Sequence, residues 1–440
     1  MNATATPHRF APSAPLRGTI AVPGDKSISH RSLLLGACAV GETHITGLLE
    51  GEDVLATAAA MRAMGADVER LGDGEWRING VGIGGLLQPE SAIDCGNSGT
   101  SARLLMGLVA SHGITTSLVG DASLSKRPMG RVAKPLREMG AQIDTGEEGR
   151  PPLRIKGGSR MMGMDYQMPM ASAQVKSCIL LAGLYASGTT SVTEPAPTRD
   201  HTERMLKGFG YPVKVDGATA TIESGHTLKA CRIDVPADIS SAAFFMVAAS
   251  ICEGADLTLE HVGINPTRIG IINILRAMGG NLELLNEREV GGEPVADIRV
   301  RYAPLRGIDI PVDQVPLAID EFPVLFVAAA CAEGRTILRD AEELRVKESD
   351  RIQVMADGLQ ALGVKAEPTP DGIIIDGGAI GGGSVESHGD HRIAMSFSVA
   401  ALRATGDIHI KDCANVATSF PGFIDLAQSV GMQVRLEDNA

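Results

Sequence analysis

One pattern occurs six times along the 440 residues of this chain and restricts its possible folds more than any other feature. Each copy is an apolar stretch, then a small residue and a glycine, then a run rich in β-branched residues. The glycines lie 66 to 80 residues apart, at Gly41, Gly113, Gly188, Gly254, Gly334 and Gly406. A repeat of this length predicts six copies of one supersecondary unit.

The six apolar stretches have no polar face. They read "SLLLGACAV", "RLLMGLVAS", "CILLAGLYAS", "AAFFMVAAS", "VLFVAAACA" and "AMSFSVAAL". A helix that is hydrophobic on all sides must be surrounded by protein. We therefore expect six buried helices with sheets outside them, the reverse of a doubly wound α/β fold.

A second, amphipathic helix follows each strand and stops at another glycine. These glycines are Gly65, Gly140, Gly210, Gly279, Gly363 and Gly431. Glycine directly after a helix is a common left-handed stop, and the alternating residues that follow predict strands. Each unit is expected to run strand, helix, strand, helix, strand, strand (βαβαββ).

Six units divide into two domains of three, with a boundary near "RIDVPADISS". The sixth unit has no further strand after "GMQVRLE", so the first twenty-odd residues are expected to complete the second domain. The predicted fold is α/β, a two-domain inside-out α/β barrel. Residues 24–236 form the predicted N-terminal domain, and residues 237–440 plus 1–23 form the C-terminal domain. The active site is expected in the cleft between them.

Polar and charged residues precede every apolar helix. These segments read "DKSISHR", "GNSGTSAR", "SAQVKS", "ADISS", "AIDEFP" and "HGDHR". A helix N-terminus carries unpaired N–H groups and the positive end of the helix dipole, so it attracts anions. Capping is the preferred interpretation of "ADISS". It does not explain Lys26, Arg31 and Arg103, because cations beside a glycine-rich helix start predict a phosphate site.

Charge and composition exclude several classes of function. A formal net charge of -13 argues against nucleic acid as a partner, because nucleic-acid-binding proteins normally carry a basic excess. The longest apolar runs fall short of the roughly 20 residues that span a bilayer. The first fifteen residues do not resemble a signal peptide, and the seven cysteines form no CxxC pair. We expect a cytoplasmic protein with reduced thiols and no membrane partner.

Other motifs are weaker. "HGDHR" could ligate a metal through its histidines and aspartate, but no HExxH motif or second acidic cluster accompanies it. "GVGIGG" lacks the helix and acidic residue of a dinucleotide fingerprint. The chain has no GxxxxGK[ST] motif and no GxSxG elbow, which disfavours NTP hydrolysis and Ser-His-Asp chemistry.

Seven ordered motifs between residues 15 and 435 give the chain a resemblance to a known family. They are "PGDKSISHR", "GNSGTSAR", "KRPMGR", "SAQVKS", "RVKESDR", "DHRIAMSF" and "ATSFPGF". The chain resembles the 5-enolpyruvylshikimate-3-phosphate synthase family, in its divergent bacterial branch. The resemblance implies two domains of three βαβαββ units with inward helices, which agrees with the repeat analysis. It also implies transfer of the enolpyruvyl group of phosphoenolpyruvate to the 5-hydroxyl of shikimate 3-phosphate, without metal or cofactor.

The resemblance implies a site for shikimate 3-phosphate. Its implied ligands are Lys26, Ser27, Arg31, Ser172, Ala173, Gln174, Arg199, Asp320 and Lys347. Lys26 would lie between the two substrates and touch both, and Arg199 would contact the shikimate phosphate.

A phosphoenolpyruvate site is implied in the same way. Its implied ligands are Lys26, Gly99, Arg127, Gln174, Arg351 and Arg392. The Gly99 backbone and Arg127 would hold the phosphate, while Arg351 and Arg392 would hold the carboxylate.

The implied chemistry is addition followed by elimination through a tetrahedral intermediate. Asp320 matches the base at the hydroxyl, and Glu348 matches the residue that handles the methyl-group proton, with Lys26 as a third catalytic residue. Carboxylates on different helix starts can have different environments, as an acid and a base require.

The sequence departs from parts of the family pattern. Thr418 and Ser419 stand in "ATSFP" where some members have an "AKTFP" lysine, so one phosphoenolpyruvate contact is lost or replaced. Glu343 stands where some members have Asn. Gly99 stands where herbicide-tolerant members often have Ala, so we expect glyphosate to inhibit in competition with phosphoenolpyruvate.

Two other functions fit the sequence less well. The sister enzyme that uses UDP-N-acetylglucosamine shares the six-unit fold, but the loop "GDASLSKRPMG" lacks the cysteine typical of that enzyme. A noncatalytic anion binder would gain nothing from Asp320 and Glu348, which repel an anionic ligand. We expect a monomer that binds two small anionic substrates.

Overall fold

A computed structural model describes residues 8–11, 15–157 and 160–436. Within these residues, the chain forms twelve α-helices and twenty-three strands. The helices are α1 (Lys26–Ala37), α2 (Glu52–Ala63), α3 (Gly99–Ala110), α4 (Gly130–Glu138), α5 (Ala173–Gly183), α6 (His201–Gly208), α7 (Ile239–Ile251), α8 (Gly270–Ala277), α9 (Phe322–Cys331), α10 (Arg351–Ala361), α11 (His391–Ala400) and α12 (Phe423–Ser429). The strands are β1 (His8–Ala11), β2 (Arg17–Ile20), β3 (Val40–Thr46), β4 (Asp67–Gly72), β5 (Glu75–Val81), β6 (Ile93–Asp94), β7 (Thr116–Val119), β8 (Gln142–Asp144), β9 (Leu153–Lys156), β10 (Asp165–Gln167), β11 (Thr189–Thr193), β12 (Lys214–Asp216), β13 (Thr219–Glu223), β14 (Arg232–Asp234), β15 (Asp256–Gly263), β16 (Asn281–Val290), β17 (Glu293–Arg301), β18 (Arg335–Leu338), β19 (Lys365–Thr369), β20 (Gly372–Asp376), β21 (Gly383–Glu386), β22 (Ile408–Lys411) and β23 (Gln433–Leu436).

The odd-numbered helices are the six apolar stretches, and they are buried as predicted. In α7 every residue from Ile239 to Ile251 is buried, and in α3 all but one are. The even-numbered helices keep one face towards solvent, as in α4, where four of nine residues are buried. The inner helices therefore supply the core, and the sheets and outer helices cover it.

Each outer helix ends at the predicted glycine. Gly65, which follows α2, has a φ of 94°, and its N–H donates to the carbonyl of Arg62 at 3.0 Å. The next N–H, of Ala66, reaches back to the carbonyl of Met61 at 3.1 Å, which completes a Schellman motif. The other five glycines also have positive φ, between 75° and 105°. The predicted left-handed stops are confirmed.

The sheets share one strand order. In the second repeat, β6 lies parallel to β7, β7 pairs antiparallel with β9, and β9 pairs antiparallel with β8. The same four-strand order holds in the first, third, fourth and sixth sheets. In the fifth, isolated bridges from Arg306 and Asp309 take the place of the first strand.

Strands that are distant in sequence complete the pattern where a repeat lacks its own. Strand β2 lies parallel to β15 and begins the fourth sheet, while β14 lies parallel to β3 and begins the first. Strand β1 lies between β22 and β23, antiparallel to both. The N-terminal residues thus fill the position that the sixth repeat leaves open.

The chain divides into two compact units of three repeats each. The N-terminal unit comprises Gly24–Val235 with the hairpin tip Val290–Glu293, and the C-terminal unit comprises the described parts of Met1–Pro23, Pro236–Glu289 and Pro294–Ala440. Each unit has its own hydrophobic core. Among the described residues, no helix is long and apolar enough to cross a membrane.

The seven cysteines are free thiols, five of them buried and two partly buried. Burial raises the pKa of Cys38 and of Cys331 to about 12, so these thiols stay neutral at physiological pH.

Candidate active site

In the N-terminal unit, the starts of the three inner helices meet at one end. Arg31 of α1 donates from Nη2 to Ser177 Oγ of α5 at 2.7 Å. Arg103 of α3 donates from Nη1 to Gln174 Oε1 of α5 at 2.6 Å. The residues around these starts are called the N-terminal cluster: Lys26, Ser27, Arg31, Gly99, Arg103, Arg127, Ser172, Ala173, Gln174 and Arg199. Each is buried or half-buried.

Arg31 is a buried cation whose hydrogen bonds, among the residues that the structure describes, all go to neutral groups. Its Nε donates to Thr202 Oγ1 at 2.7 Å, and its Nη1 donates to the carbonyl of Ser27 at 2.9 Å. Burial lowers the pKa of Arg31 to about 10, against the opposing effect of Glu203, and the side chain remains charged at neutral pH. A buried guanidinium that bonds no carboxylate is well suited to an anionic ligand.

Lys26 forms an ion pair with the buried carboxylate of Asp53, in the first turn of α2. The backbone carbonyl of Asp53 accepts a hydrogen bond from Ser101 Oγ of α3 at 3.3 Å. Helix α2 therefore connects the start of α1 to the start of α3, and it restricts the position of the lysine.

Three of the implied phosphoenolpyruvate ligands lie beside Arg103. A Cβ atom on Gly99 would lie 2.8 Å from Arg103 Nη1 and 3.2 Å from Arg127 Nη1. Arg127 is held by Asn97, whose Oδ1 accepts from Nη2 at 2.7 Å. The structure therefore brings Gly99 and Arg127 together. Gln174 joins them because it accepts the hydrogen bond from Arg103.

Ser172 caps α5, because its Oγ accepts a hydrogen bond from the N–H of Val175 at 3.4 Å. Ala173 and Gln174 follow as the first residues of the helix, so their backbone N–H groups lie at its positive end. Arg199 lies close enough to Arg31 for its charge to lower the pKa of Arg31.

In the C-terminal unit, the starts of α9, α10 and α11 are joined by Arg351. Its Nε donates to Asp390 Oδ2 at 2.9 Å, its Nη2 donates to Glu348 Oε2 at 2.6 Å, and its Nη1 lies 3.4 Å from Asp320 Oδ1. Burial would lower the pKa of Arg351, but the three carboxylates outweigh it and raise the pKa above its ordinary value. The residues around this arginine are called the C-terminal cluster: Asp320, Glu343, Lys347, Glu348, Ser349, Arg351, Asp390 and Arg392.

Lys347 lies between two carboxylates. Its Nζ is 2.7 Å from Glu343 Oε1 and 3.4 Å from Asp320 Oδ1. Glu343, the residue that departs from the family pattern, therefore pairs with an implied shikimate 3-phosphate ligand. Thr418, which lies where some family members have the lysine of "AKTFP", donates a hydrogen bond from its hydroxyl to the carbonyl of Asn415 at 2.7 Å.

Arg392 differs from Arg351 in its pairing. Its backbone N–H donates to Asp390 Oδ1 at 2.9 Å, which caps α11. In the described part of the chain, its guanidinium makes no hydrogen bond or ion pair, and the residue is half-buried. This cation is available to an anionic ligand.

The two clusters have opposite electrostatic character. The N-terminal cluster contains five cations, among which Lys26 pairs with Asp53. The C-terminal cluster places the carboxylates of Asp320, Glu343, Glu348 and Asp390 around two cations, Lys347 and Arg351. The first arrangement suits anion binding, and the second supplies groups that can accept or donate a proton.

Sequence reasoning missed several residues that support these clusters. Asp53 and Asp390 bond the key cations, Ser177 and Thr202 hold Arg31, and a Ser240–Glu321 hydrogen bond joins the starts of α7 and α9. Asp390, Ser177, Ser240 and Glu321 lie in the quoted helix-start segments "HGDHR", "SAQVKS", "ADISS" and "AIDEFP", but their partners were not visible there, and Asp53 and Thr202 lie outside these segments. The carboxylate of Asp390 is occupied by Arg351 and by the cap of α11. Residues 8–11, 15–157 and 160–436 contain no group of three or more His, Cys, Asp or Glu side chains that could hold a metal.

Comparison with known proteins decides the family. The family model for EPSP synthase (3-phosphoshikimate 1-carboxyvinyltransferase) matches residues 10–426. The chain belongs to the EPSP synthase family. Relatives named 3-phosphoshikimate 1-carboxyvinyltransferase include one from Methylococcus capsulatus, 65% identical and covering 97% of both chains. Another, from Alkalilimnicola ehrlichii, is 63% identical and covers 97% of this chain and 96% of its own.

Solved structures agree with the family assignment. An EPSP synthase from Acinetobacter baumannii matches with a TM-score of 0.90 and 57% identity, covering 98% of this chain and all of its own. The enolpyruvyl transferase NikO from Streptomyces tendae matches with a TM-score of 0.81 at 16% identity, a likeness of fold alone. The fold is the two-domain inside-out α/β barrel of the enolpyruvyl transferases, as the repeats predicted.

Proposed function

We propose that this chain is a 3-phosphoshikimate 1-carboxyvinyltransferase of the shikimate pathway. It transfers the enolpyruvyl group of phosphoenolpyruvate to the 5-hydroxyl of shikimate 3-phosphate and releases inorganic phosphate. The observation that carries this proposal is the 63–65% identity, over 97% of the chain, to relatives that bear that name.

The cations of the N-terminal cluster bind most of the negative charge of shikimate 3-phosphate. Arg31 supports this role because, within residues 8–11, 15–157 and 160–436, its hydrogen bonds go to neutral groups and to no carboxylate. Ser27, Ser172, Ala173, Gln174 and Arg199 complete this part of the site. Lys347 and Asp320 contribute from the C-terminal cluster, where they already lie 3.4 Å apart.

Phosphoenolpyruvate is held at both ends. Gly99 and Arg127 bind its phosphate, with Gln174 and Lys26 nearby, and Arg351 and Arg392 bind its carboxylate. Arg392 has an unoccupied guanidinium in the described part of the chain, whereas Arg351 is surrounded by three carboxylates. Binding therefore requires Arg351 to exchange a contact with Glu348 or Asp320 for the substrate carboxylate.

The chemistry uses carboxylates that the structure places around Arg351. Asp320 removes the proton from the 5-hydroxyl of shikimate 3-phosphate while the hydroxyl oxygen forms a bond to C2 of phosphoenolpyruvate. Glu348 protonates C3. The tetrahedral intermediate then loses a proton from C3 to Glu348 as the C2–O bond to phosphate breaks. Lys26 stabilises the negative charge that develops on the phosphate oxygen, and the proton held by Asp320 passes to the phosphate, which leaves as hydrogen phosphate.

We extend the proposal to inhibition, assembly and location. Glyphosate competes with phosphoenolpyruvate, the enzyme acts as a monomer, and it works in the cytoplasm. The free cysteines support a reducing compartment. All proposed ligands come from one chain, which supports activity as a monomer.

A phosphate-release assay tests the function. Phosphate should appear only when phosphoenolpyruvate and shikimate 3-phosphate are both present, and mass spectrometry should show the enolpyruvyl product. UDP-N-acetylglucosamine serves as the competing acceptor. Release with that acceptor alone would assign the chain to the sister reaction. Tight binding of both anions with no release would indicate a binding protein.

A further inference from the structure

Asp390 is fully buried and joins the starts of two helices in the C-terminal cluster. Its Oδ2 accepts hydrogen bonds from Arg351 Nε at 2.9 Å and from Ser349 Oγ at 3.0 Å. Its Oδ1 accepts from the backbone N–H of Arg392 at 2.9 Å and from Arg351 Nη2 at 3.4 Å. A single carboxylate thus contacts one arginine directly and fixes the helix turn that carries the other.

The three carboxylates around Arg351 are not equivalent. The side chain of Asp390 is 0% exposed, whereas those of Glu348 and Asp320 are 28% and 15% exposed. A ligand that approaches Arg351 from solvent reaches the Nη1 and Nη2 groups, where Asp320 and Glu348 now lie. The Nε group remains bonded to Asp390 behind them.

A carboxylate is the group that this position requires. Burial would raise the pKa of Asp390, but the Arg351 guanidinium outweighs it and holds the pKa below its usual range. Asp390 therefore stays ionised. An ionised partner on Nε keeps the guanidinium plane fixed, because a charge-assisted hydrogen bond is stronger than a neutral one.

We propose that Asp390 is a positioning residue that orients Arg351, and the first turn of α11 with Arg392, for the carboxylate of phosphoenolpyruvate. This inference rests on the proposed function and deepens it. Asp390 does not touch the substrate. It acts through the two arginines, so its loss should impair recognition of phosphoenolpyruvate and leave shikimate 3-phosphate binding intact.

The test compares Asp390→Asn with a matched control, Asp350→Asn. Both residues cap a helix of this cluster and pair with an arginine, but Asp350 pairs with Arg345 and not with Arg351. Asp390→Asn should raise the KM for phosphoenolpyruvate at least tenfold. It should change the Kd for shikimate 3-phosphate, measured by calorimetry without phosphoenolpyruvate, less than twofold. Asp350→Asn should change neither constant more than twofold.

The outcomes separate positioning from stability. A similar change in both constants, or a change that Asp350→Asn reproduces, would reduce Asp390 to a structural role and overturn the proposal. An unchanged KM for phosphoenolpyruvate would also overturn it. If Asp390→Asn does not fold, Ser349→Ala replaces it, because that variant removes one hydrogen bond to the same oxygen. Its KM should rise about twofold to fivefold, and an unchanged value contradicts the proposal.

This result is distinguishable from failure of the proposed function. If the unmodified enzyme releases no phosphate from phosphoenolpyruvate and shikimate 3-phosphate, the function is wrong. If it is active and the variants behave as the control does, only the role of Asp390 is wrong.

Discussion

At the scale of single residues, the lack of a side chain at Gly99 bears on the proposed inhibition by glyphosate. A methyl group there would approach the terminal nitrogens of Arg103 and Arg127 at 2.8 and 3.2 Å, so at least one guanidinium must move. These nitrogens end flexible side chains, so the methyl group is accommodated by moving a guanidinium away from the position in which it would bind the anion. Each loss of about 1.4 kcal/mol of binding free energy is a tenfold change in affinity. We expect Gly99→Ala to weaken glyphosate inhibition about tenfold or more and to raise the KM for phosphoenolpyruvate.

Gly130→Ala is the control for this substitution. Gly130 begins α4 shortly after Arg127, and a Cβ atom there would meet no heavy atom within 4 Å. Its inhibition constant should stay within twofold of the parent value. An inhibition constant that Gly99→Ala leaves unchanged would contradict the steric argument.

His30 gives the enzyme a predictable pH dependence of stability. It is fully buried in α1, where its Nδ1 lies 2.8 Å from Thr57 Oγ1, and burial, with Lys26 and Arg31, lowers its pKa well below 6.5. Below pH 6.5 the unfolded chain protonates this histidine and the native state does not. Stability is therefore complete above that pH and falls by about 1.4 kcal/mol per pH unit below it.

His30→Asn should flatten this dependence, because the amide can still bond Thr57 but does not titrate. The measurement is the thermal unfolding midpoint of both proteins at pH 7, 6 and 5. Burial also lowers the pKa of His112, so part of the acid sensitivity should remain in the variant. Parallel curves for the two proteins would show that His30 is not responsible.

The sequence marked part of the candidate site at this scale, and the part that it did not mark has a physical reason. Lys26, Arg31 and Arg127 were visible because cations beside helix starts have no simple structural explanation. Asp53, Ser177 and Thr202 were not, because each is an ordinary helix residue whose partner lies far away in sequence. Thr202 is 171 residues from Arg31, for example. Pairing at that separation depends on how helices pack, which sequence patterns do not specify.

At the scale of elements, close packing of the inner helices depends on glycine. A Cβ atom on Gly107 of α3 would lie 2.2 Å from the carbonyl oxygen of Cys178 in α5 and 2.8 Å from its Sγ. A backbone oxygen cannot move aside without shifting the helix. Gly107→Ala should therefore lower the free energy of unfolding by about 3 kcal/mol or more.

Gly113→Ala tests whether this effect is local. Gly113 lies just beyond the end of α3 in open space, with no heavy atom within 4 Å of a Cβ. The free energy of unfolding, from urea denaturation, should change by less than about 0.5 kcal/mol. Equal losses in both variants would show that helix packing is not the cause.

The elements themselves were largely predictable, because their signals are local. Continuous apolar stretches marked the inner helices, and glycine marked the ends of the outer ones. Strand partners were harder. Nothing local in β6, which has two residues, indicates that it lies parallel to β7, or that the fifth repeat has only bridges in this place.

At the scale of the whole molecule, charge is distributed unevenly. The chain carries a net charge of -13, yet the N-terminal cluster concentrates cations at three helix starts. We therefore expect local charge at these helix starts, and not the net charge of the chain, to attract an anionic substrate.

The whole molecule also depends on its first strand. Strand β1 pairs with β22 on one side and β23 on the other, so the chain start holds together the sheet formed by its end. Deletion of residues 1–11 leaves both strands with unpaired edges. Amide hydrogen exchange in β22 should then accelerate at least tenfold, while exchange in β13 of the N-terminal unit should not change.

Deletion of residues 1–7 is the matched control, because it shortens the same terminus and keeps β1 intact. This variant should exchange at the parent rate in both strands. If the two deletions accelerate amide exchange in β22 equally, pairing by β1 does not stabilise the sixth sheet. If β13 accelerates as well, the loss is global, and the two units do not unfold independently.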